Sequence, residues 1–511
     1  MKRLIGLLFG RAVLVGAAIS IQAVALIIVI WRFSNYFVYF YAVCAMLSVL
    51  AVLWIIHGKT YPAYKLAWIV PIMVFPIFGG MFYLILGGNK SSKKNKREMQ
   101  KIAKQMKESL CQEQQTLKQL EQENRGAANQ TKYIERYSAC PVYTNTTTEY
   151  LTPGERKFER MLEELKKAER YIFLEYYIIE EGVMWNAILE ILKEKVKQGV
   201  DVRVIYDDVG CLLTLPFGYE KRLESMGIKC SIFNPFIPVL TVRLNNRDHR
   251  KIAVIDGHTA FTGGINLADE YINVYEKHGY WKDSAIVIHG DAVWSFTVMF
   301  LAMWNFLGKT GESCETFRPT SKDIGYFKSD GYVQPFADSP LDDEAVGEYV
   351  YLNLIGKAER YIYITTPYLI LDNEMSTALC LAAKRGVDVR IITPHIPDKW
   401  YVHAVSRSNY EVLVESGVCI YEYLPGFAHA KTFAVDDMYA VVGTINLDYR
   451  SLYLHFECAV WLYKTKSVLE VKEDYLLTLE VCRNITLEDC RNIKWYRRLG
   501  RSILRILAPL M

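Results

Sequence analysis

No Cys-x-x-Cys pair and no Cys/His spacing of the zinc-ligand kind occurs among the eleven cysteines of this 511-residue chain. That argues against a structural zinc module and offers no disulfide framework, leaving reduced thiols facing a cytoplasm as the plain expectation. Nor is there much excess charge. The 60 basic and 56 acidic side chains leave +4, too little for a protein whose whole surface is built to hold nucleic acid. Charge is missing altogether from residues 12–30, 36–56 and 66–86, and each run is close to the ~20 apolar residues a helix needs to cross a bilayer. No small-residue cleavage site follows the first run, so it reads as a span and not as a removed leader.

The second run carries Tyr36, Tyr39, Tyr41 and Trp54, which suit membrane interfaces. The third contains Pro71, Pro76, Gly79 and Gly80, so it is expected as a kinked span or a re-entrant hairpin. Beyond it come Lys90, Lys93, Lys94, Lys96, Arg97, Lys101, Lys104 and Lys107, a cluster that the positive-inside rule places in the cytoplasm together with the remainder of the chain. Lys2, Arg3 and Arg11 ask for the same side, so two or three segments cross. Residues 93–125 lack Gly and Pro and are rich in Lys, Gln and Glu, which predicts an exposed helical connector able to meet anionic headgroups.

The rest of the chain repeats itself. Lys167-Ala168-Glu169-Arg170-Tyr171-Ile172 recurs 190 residues later from Lys357, Gly199-Val200-Asp201-Val202-Arg203 recurs 187 later from Gly386, and His249-x-Lys251 recurs 180 later as His429-x-Lys431. Order and spacing are both kept, as in a duplication. Each copy alternates helix-period and β-rich stretches, which predicts an α/β fold with mixed sheets, the two halves packed around a pseudo-twofold axis. The expected division is a membrane anchor over 1–90, a polar helical linker over 91–130, a first half over 131–325 and a second over 326–511.

The first copy carries His249, Lys251 and Asp256, then Gly263, Gly264 and Asn266; the second carries His429, Lys431 and Asp436, then Gly443, Thr444 and Asn446. In both, the Asn follows the His by 17 positions, and alternate positions put His and Lys on one face of an extended segment. These residue types suit phosphodiester chemistry without a metal or cofactor. One imidazole can attack phosphorus, the other can protonate the leaving alkoxide, and the Lys and Asn side chains can hold the nonbridging oxygens. One His cannot be both groups at once, so the two copies are expected to meet at one site.

Paired His-x-Lys-x4-Asp motifs followed by Gly-x-x-Asn resemble the signature of the phospholipase D superfamily. Within it, Tyr61-Pro62-Ala63-Tyr64-Lys65, Asn245-Asn246-Arg247-Asp248-His249 and Gly263-Gly264-Ile265-Asn266-Leu267 are similar to bacterial cardiolipin synthases. The resemblance implies transfer of a phosphatidyl group from one phosphatidylglycerol to another, with glycerol released. It favours His249 as nucleophile and His429 as general acid, although pseudo-symmetry leaves the assignment open. It also implies an acid holding each His from later in the same half: Glu457 for His429 and Asp283 for His249, each pair favouring the protonated imidazole. Asp256 and Asp436 belong to the signature but are expected to stabilise the fold around the site. The implied partners are phosphatidylglycerol and anionic membrane lipid, with no nucleic acid, and the implied location is the cell membrane. A hydrolase of the same superfamily is the enzymatic alternative. Near the C-terminus, Arg497, Arg498, Arg501 and Arg505 alternate with Leu499, Ile503, Leu504 and Ile506, the pattern of an interfacial amphipathic helix or of an ordinary helix packed on the core.

Overall fold

The computed structural model describes residues 37–510 except 59–60, 76–78, 81–82, 84–92, 236–245, 309–311, 321–324, 328 and 343, with isolated positions between 20 and 32. The first uncharged run, residues 12–30, lies outside this description apart from those positions. The second forms helix α1 (Phe37–His57), with no charged side chain before its last residue. Helix α2 (Pro62–Val74) begins with Pro at its first position, where the missing N–H is harmless, and packs on α1. It stops at Phe75. The chain then doubles back: Gly79 and Gly80 sit against Ile72 and Ser48 so closely that a Cβ on either would overlap them. The ring of Tyr83 meets that of Trp68 edge-on at 5.4 Å, so the third run is no straight helix. Among the described residues, no helix is long and apolar enough to cross a membrane.

The connector is helical but neither continuous nor wholly exposed. It is broken into α3 (Lys93–Ser109), α4 (Gln114–Glu123) and α5 (Arg125–Ser138). Leu117, Leu120, Ala127, Ala128 and Ile134 are buried in the core of the second half, because they recur at helical spacing on one side of an otherwise polar stretch.

Two sheets make up the rest. The first contains β1 (Thr146–Leu151), β2 (Tyr171–Tyr176), β3 (Asp201–Asp207), β4 (Lys229–Phe233), β6 (Lys251–Ile255), β7 (Thr259–Gly263) and β9 (Ala285–Gly290), in the order β1-β9-β7-β6-β2-β3-β4. The second contains β10 (Tyr332–Asp338), β11 (Tyr361–Thr365), β12 (Asp388–Pro394), β13 (Cys419–Tyr423), β15 (Thr432–Val435), β16 (Tyr439–Gly443), β17 (His455–Tyr463) and β18 (Cys482–Ile485), in the order β10-β17-β16-β15-β11-β12-β13-β18. In each, two parallel pairings (β2-β3-β4 and β11-β12-β13) join antiparallel hairpins (β6-β7 and β15-β16). The repeat in sequence is therefore a repeat in topology, and both sheets are mixed as expected.

The sheets pack face to face. Ala260, Ile286 and Ile288 of the first share one core with Ala440, Val442, Val460 and Leu462 of the second. Helix α6 (Val293–Phe306), apolar on every side, is buried in that core. Two short strands cross between the halves: β5 (Arg247–Asp248) pairs with β17, and β8 (Tyr280–Lys282) pairs in parallel with β14 (Gly426–Ala428). These crossings bring the two motifs to one place.

Candidate active site

His249 lies between β5 and β6, and His429 directly follows β14. The amide of His249 donates to the carbonyl of Phe456 at 2.9 Å, and that of His429 to Lys282 at 2.7 Å. Each carbonyl belongs to the residue just before an acid, so the backbone crossing delivers a carboxylate beside each imidazole. His249 Nδ1 is 2.9 and 3.0 Å from the Glu457 oxygens, and His429 Nδ1 is 2.6 Å from Asp283 Oδ2. The expected acids are the right residues with exchanged partners. Each half's carboxylate orients the other half's histidine, and pairing within a half is ruled out by these contacts.

The carboxylates are themselves fixed. Glu457 accepts from Ser451 Oγ at 2.5 Å and from the Thr444 hydroxyl. At the equivalent position of the first copy stands Gly264, where a Cβ would overlap the Asp283 carboxylate. The shorter acid thus requires a glycine where the longer one uses a hydroxyl, which explains Gly-Gly in one motif and Gly-Thr in the other. Asp283 also accepts from the Ser284 amide at 2.8 Å.

Both histidines line one cavity of about 420 Å³. With Nδ1 engaged, Nε2 is the nitrogen left to meet a substrate. Asn266 and Asn446 line the same cavity. Asn266 is committed to the protein, accepting from the Ile178 amide and donating to the Tyr271 hydroxyl, whereas Asn446 Oδ1 is buried without a partner. The ammonium groups of Lys251 and Lys431 donate to the carbonyls of the histidine two residues before each. Both lysines are nearly inaccessible, so their charge acts from behind the imidazoles. Asp256 accepts from the amides of Glu169, Arg170 and Tyr171, and Asp436 from those of Glu359, Arg360 and Tyr361. They staple the far ends of β6 and β15, roughly 20 Å along the strand from the histidines, and are not in the cavity wall.

The electrostatics correct one expectation. Burial, and then Lys251, Lys431 and His429, hold the His249 pKa well below its ordinary value. Burial and Lys431 push His429 down to about 4, against the pull of Asp283. The carboxylates orient the rings without keeping them protonated, because desolvation and four nearby cationic or imidazole groups outweigh one ion pair. Burial also lowers Lys251 to about 8 and Lys431 to about 7. Asp283, despite its burial, is held below the usual range by His429 and Lys431.

Sequence reasoning missed several cavity residues: Arg247, Arg450, Lys399, Tyr177 and His455. His455 is informative. Both ring nitrogens are buried without hydrogen bonds, its ring centroid is 5.6 Å from that of His249, and burial pushes its pKa down to about 3. Its place two residues before Glu457 was the available signal. His249, His455 and Glu457 come close enough to be considered as metal ligands. The donor set fits an anion better, since both Glu457 oxygens are already taken by Ser451, Thr444 and His249 and the wall carries Arg247, Lys399 and Arg450.

A sequence family described as "Cardiolipin synthase, PLD-like domain" matches residues 161–304 and 351–476, and one described as "Phospholipase_D-nuclease N-terminal" matches residues 46–88. The chain is 45% identical over 462 residues to an uncharacterized protein of Streptococcus mutans, covering 90% of this chain and 99% of that one. It is 36% identical to a cardiolipin synthase of Alkalihalophilus pseudofirmus, covering 89% and 91%, and 35% identical to one of Halalkalibacterium halodurans, covering 88% and 90%. Among solved structures, a phosphatidylserine synthase of Haemophilus influenzae shares the fold with a TM-score of 0.55 at 15% identity, over 75% of this chain and 98% of that one.

Proposed function

Because the chain belongs to the cardiolipin synthase family of the phospholipase D superfamily, we propose that it is a phosphatidyltransferase that joins two phosphatidylglycerol molecules into cardiolipin and glycerol. The observation that carries this reading is two histidines facing one cavity, each held at Nδ1 by a carboxylate of the opposite half.

Nε2 of neutral His249 attacks the donor phosphorus. The N–P bond forms as the P–O bond to glycerol breaks, and Nε2 of His429 gives the leaving oxygen its proton. In the free site His429 holds no proton near neutrality. The phosphodiester brings a negative charge to the wall that carries Arg247 and Arg450, in front of the buried Lys251 and Lys431, which offsets their field and raises the proton affinity of His429 on binding. Glycerol departs, the hydroxyl of a second phosphatidylglycerol gives its proton to His429, and its oxygen displaces His249 from phosphorus. Asn446, with its unpartnered Oδ1, is the amide free to meet the headgroup.

The lipid substrate also supports a membrane anchor over residues 1–90. Helix α1 exposes Val38, Tyr39, Val43, Met46, Leu50 and Trp54, and the basic cluster after the hairpin supports a cytoplasmic catalytic part, with the halves dividing near residue 325. The test is incubation of the purified protein in mixed micelles with labelled phosphatidylglycerol and no added metal or nucleotide. Cardiolipin with matching glycerol supports the synthase; phosphatidic acid alone makes the protein a hydrolase.

A further inference from the structure

Beside the catalytic cavity runs a second, larger groove of about 910 Å³, within the roughly 300–1,000 Å³ typical of ligand sites. One wall is helix α2, through Leu66 and Val70; the facing wall is helix α7 (Asn373–Lys384), through Leu381; the C-terminal helix α8 (Trp495–Leu507) closes it with Ile506. The amphipathic C-terminal segment is therefore packed, against α2 and the helix Trp400–Ser408, while Leu499, Ile503 and Ile506 stay exposed.

Three residues, Ile370, Tyr449 and Ala508, line both the groove and the catalytic cavity. The two spaces share a wall. Lys384 and Arg505 also line the groove and are exposed, offering positive charge where an anionic headgroup would pass. Leu66, Met73, Val74 and Phe75 of α2 and its C-terminal edge expose their side chains on the same helix, so one apolar surface leads from outside the molecule into the groove.

The catalytic cavity, at about 420 Å³, has room for phosphodiester headgroups and little beyond them, although Ile178, Val209 and Ile370 make part of its wall apolar, so the acyl chains need a surface outside it. We propose that the groove binds the acyl chains of a glycerophospholipid whose headgroup lies at His249 and His429, with α2 and the C-terminal helix as its walls. The inference rests on the phosphatidyltransferase reading and adds to it a lipid subsite and a route of entry.

Thr377 is exposed and lines the groove, so Thr377→Trp fills it from the surface, and Leu381→Glu places a charge in it. The readout is kcat/KM for dipalmitoyl phosphatidylglycerol in micelles relative to soluble dibutyroyl phosphatidylglycerol. The expected result is a fall of at least tenfold in that ratio in each variant; an unchanged ratio in both overturns the proposal. A second measurement needs no variant: dipalmitoyl phosphatidylglycerol bearing a diazirine at the chain ends is photolysed with the unaltered protein. Labelling within residues 370–384 or 502–509, with or without α2 residues 62–70, is expected, and labelling that spares both 370–384 and 502–509 overturns the groove. Labelling there without any lipid turnover would retain the subsite and discard the synthase.

Discussion

His429 Nδ1 lies 2.6 Å from Asp283, a residue 146 positions earlier in the chain, and His249 stands in the same relation to Glu457, 208 positions later. Asp283→Asn and Glu457→Gln should therefore damage opposite steps. With a p-nitrophenyl phosphodiester of a lipid, whose leaving group needs no proton, Asp283→Asn should keep its burst of p-nitrophenol within about tenfold, while Glu457→Gln should lose about 10²-fold or more, the scale of general acid–base and orienting contributions. Stopped-flow absorbance reads this directly. The reverse pattern would mean that His429 is the nucleophile.

The free enzyme carries its positive charge on lysines whose pKa values are lowered to about 7 and about 8, and its nucleophile is neutral far below pH 6.5. Since kcat/KM reports the free enzyme, it should decline above about pH 4 as His429 loses its proton and more steeply through 7 to 8 as the lysines lose theirs. The acid limb should lie well below 6.5. Under saturating lipid the phosphate holds those protons, so the alkaline limb of kcat should sit at higher pH. Coincident limbs would remove the lysines from substrate binding.

Buried neutral histidines also make folding depend on pH. His429 and His455 take up protons only near 4 and 3 when folded, but at the ordinary 6.5 when unfolded. Between these values the unfolded chain binds more protons, so stability falls as pH drops from about 6.5 toward 4. Thermal denaturation in detergent should show that slope, and His455→Asn should flatten it.

Asp256 and Asp436 each collect three backbone amides at a strand end. Replacing either with Ala leaves those donors unmatched and should destabilise its half by about 3 kcal/mol or more, lowering the unfolding temperature. Below the transition kcat should stay near that of the unaltered protein, since neither side chain lines the cavity.

Cys111 is exposed just beyond helix α3. If the catalytic part faces the cytoplasm, a membrane-impermeant maleimide should modify it in inverted vesicles and not in intact cells. Labelling of intact cells would reverse the proposed orientation.

The duplicated α/β pattern and both motifs were legible because strand and helix periods, and the recurrence of His249-x-Lys251 as His429-x-Lys431, are local properties of the chain. The exchange of acids was not. It depends on β5 pairing with β17 and β8 with β14, contacts between residues some 150 to 200 positions apart that no spacing encodes. The same holds for the lysines: a side chain placed by strand alternation on the histidine's face still turned to that histidine's carbonyl. The neutral state of the histidines is hidden from the sequence for a related reason, because desolvation depends on how completely the halves close over the site. The connector's burial, by contrast, could have been read from Leu117, Leu120, Ala127 and Ile134 at helical intervals.

The crossed carboxylates also constrain how such a chain can change over generations. A substitution that shifts β17 in the second half moves the ring of His249 in the first, and one that shifts β8 moves His429. Neither copy can drift alone, so the duplication, once the acids were exchanged, ceased to be two spare parts and became a single inherited unit.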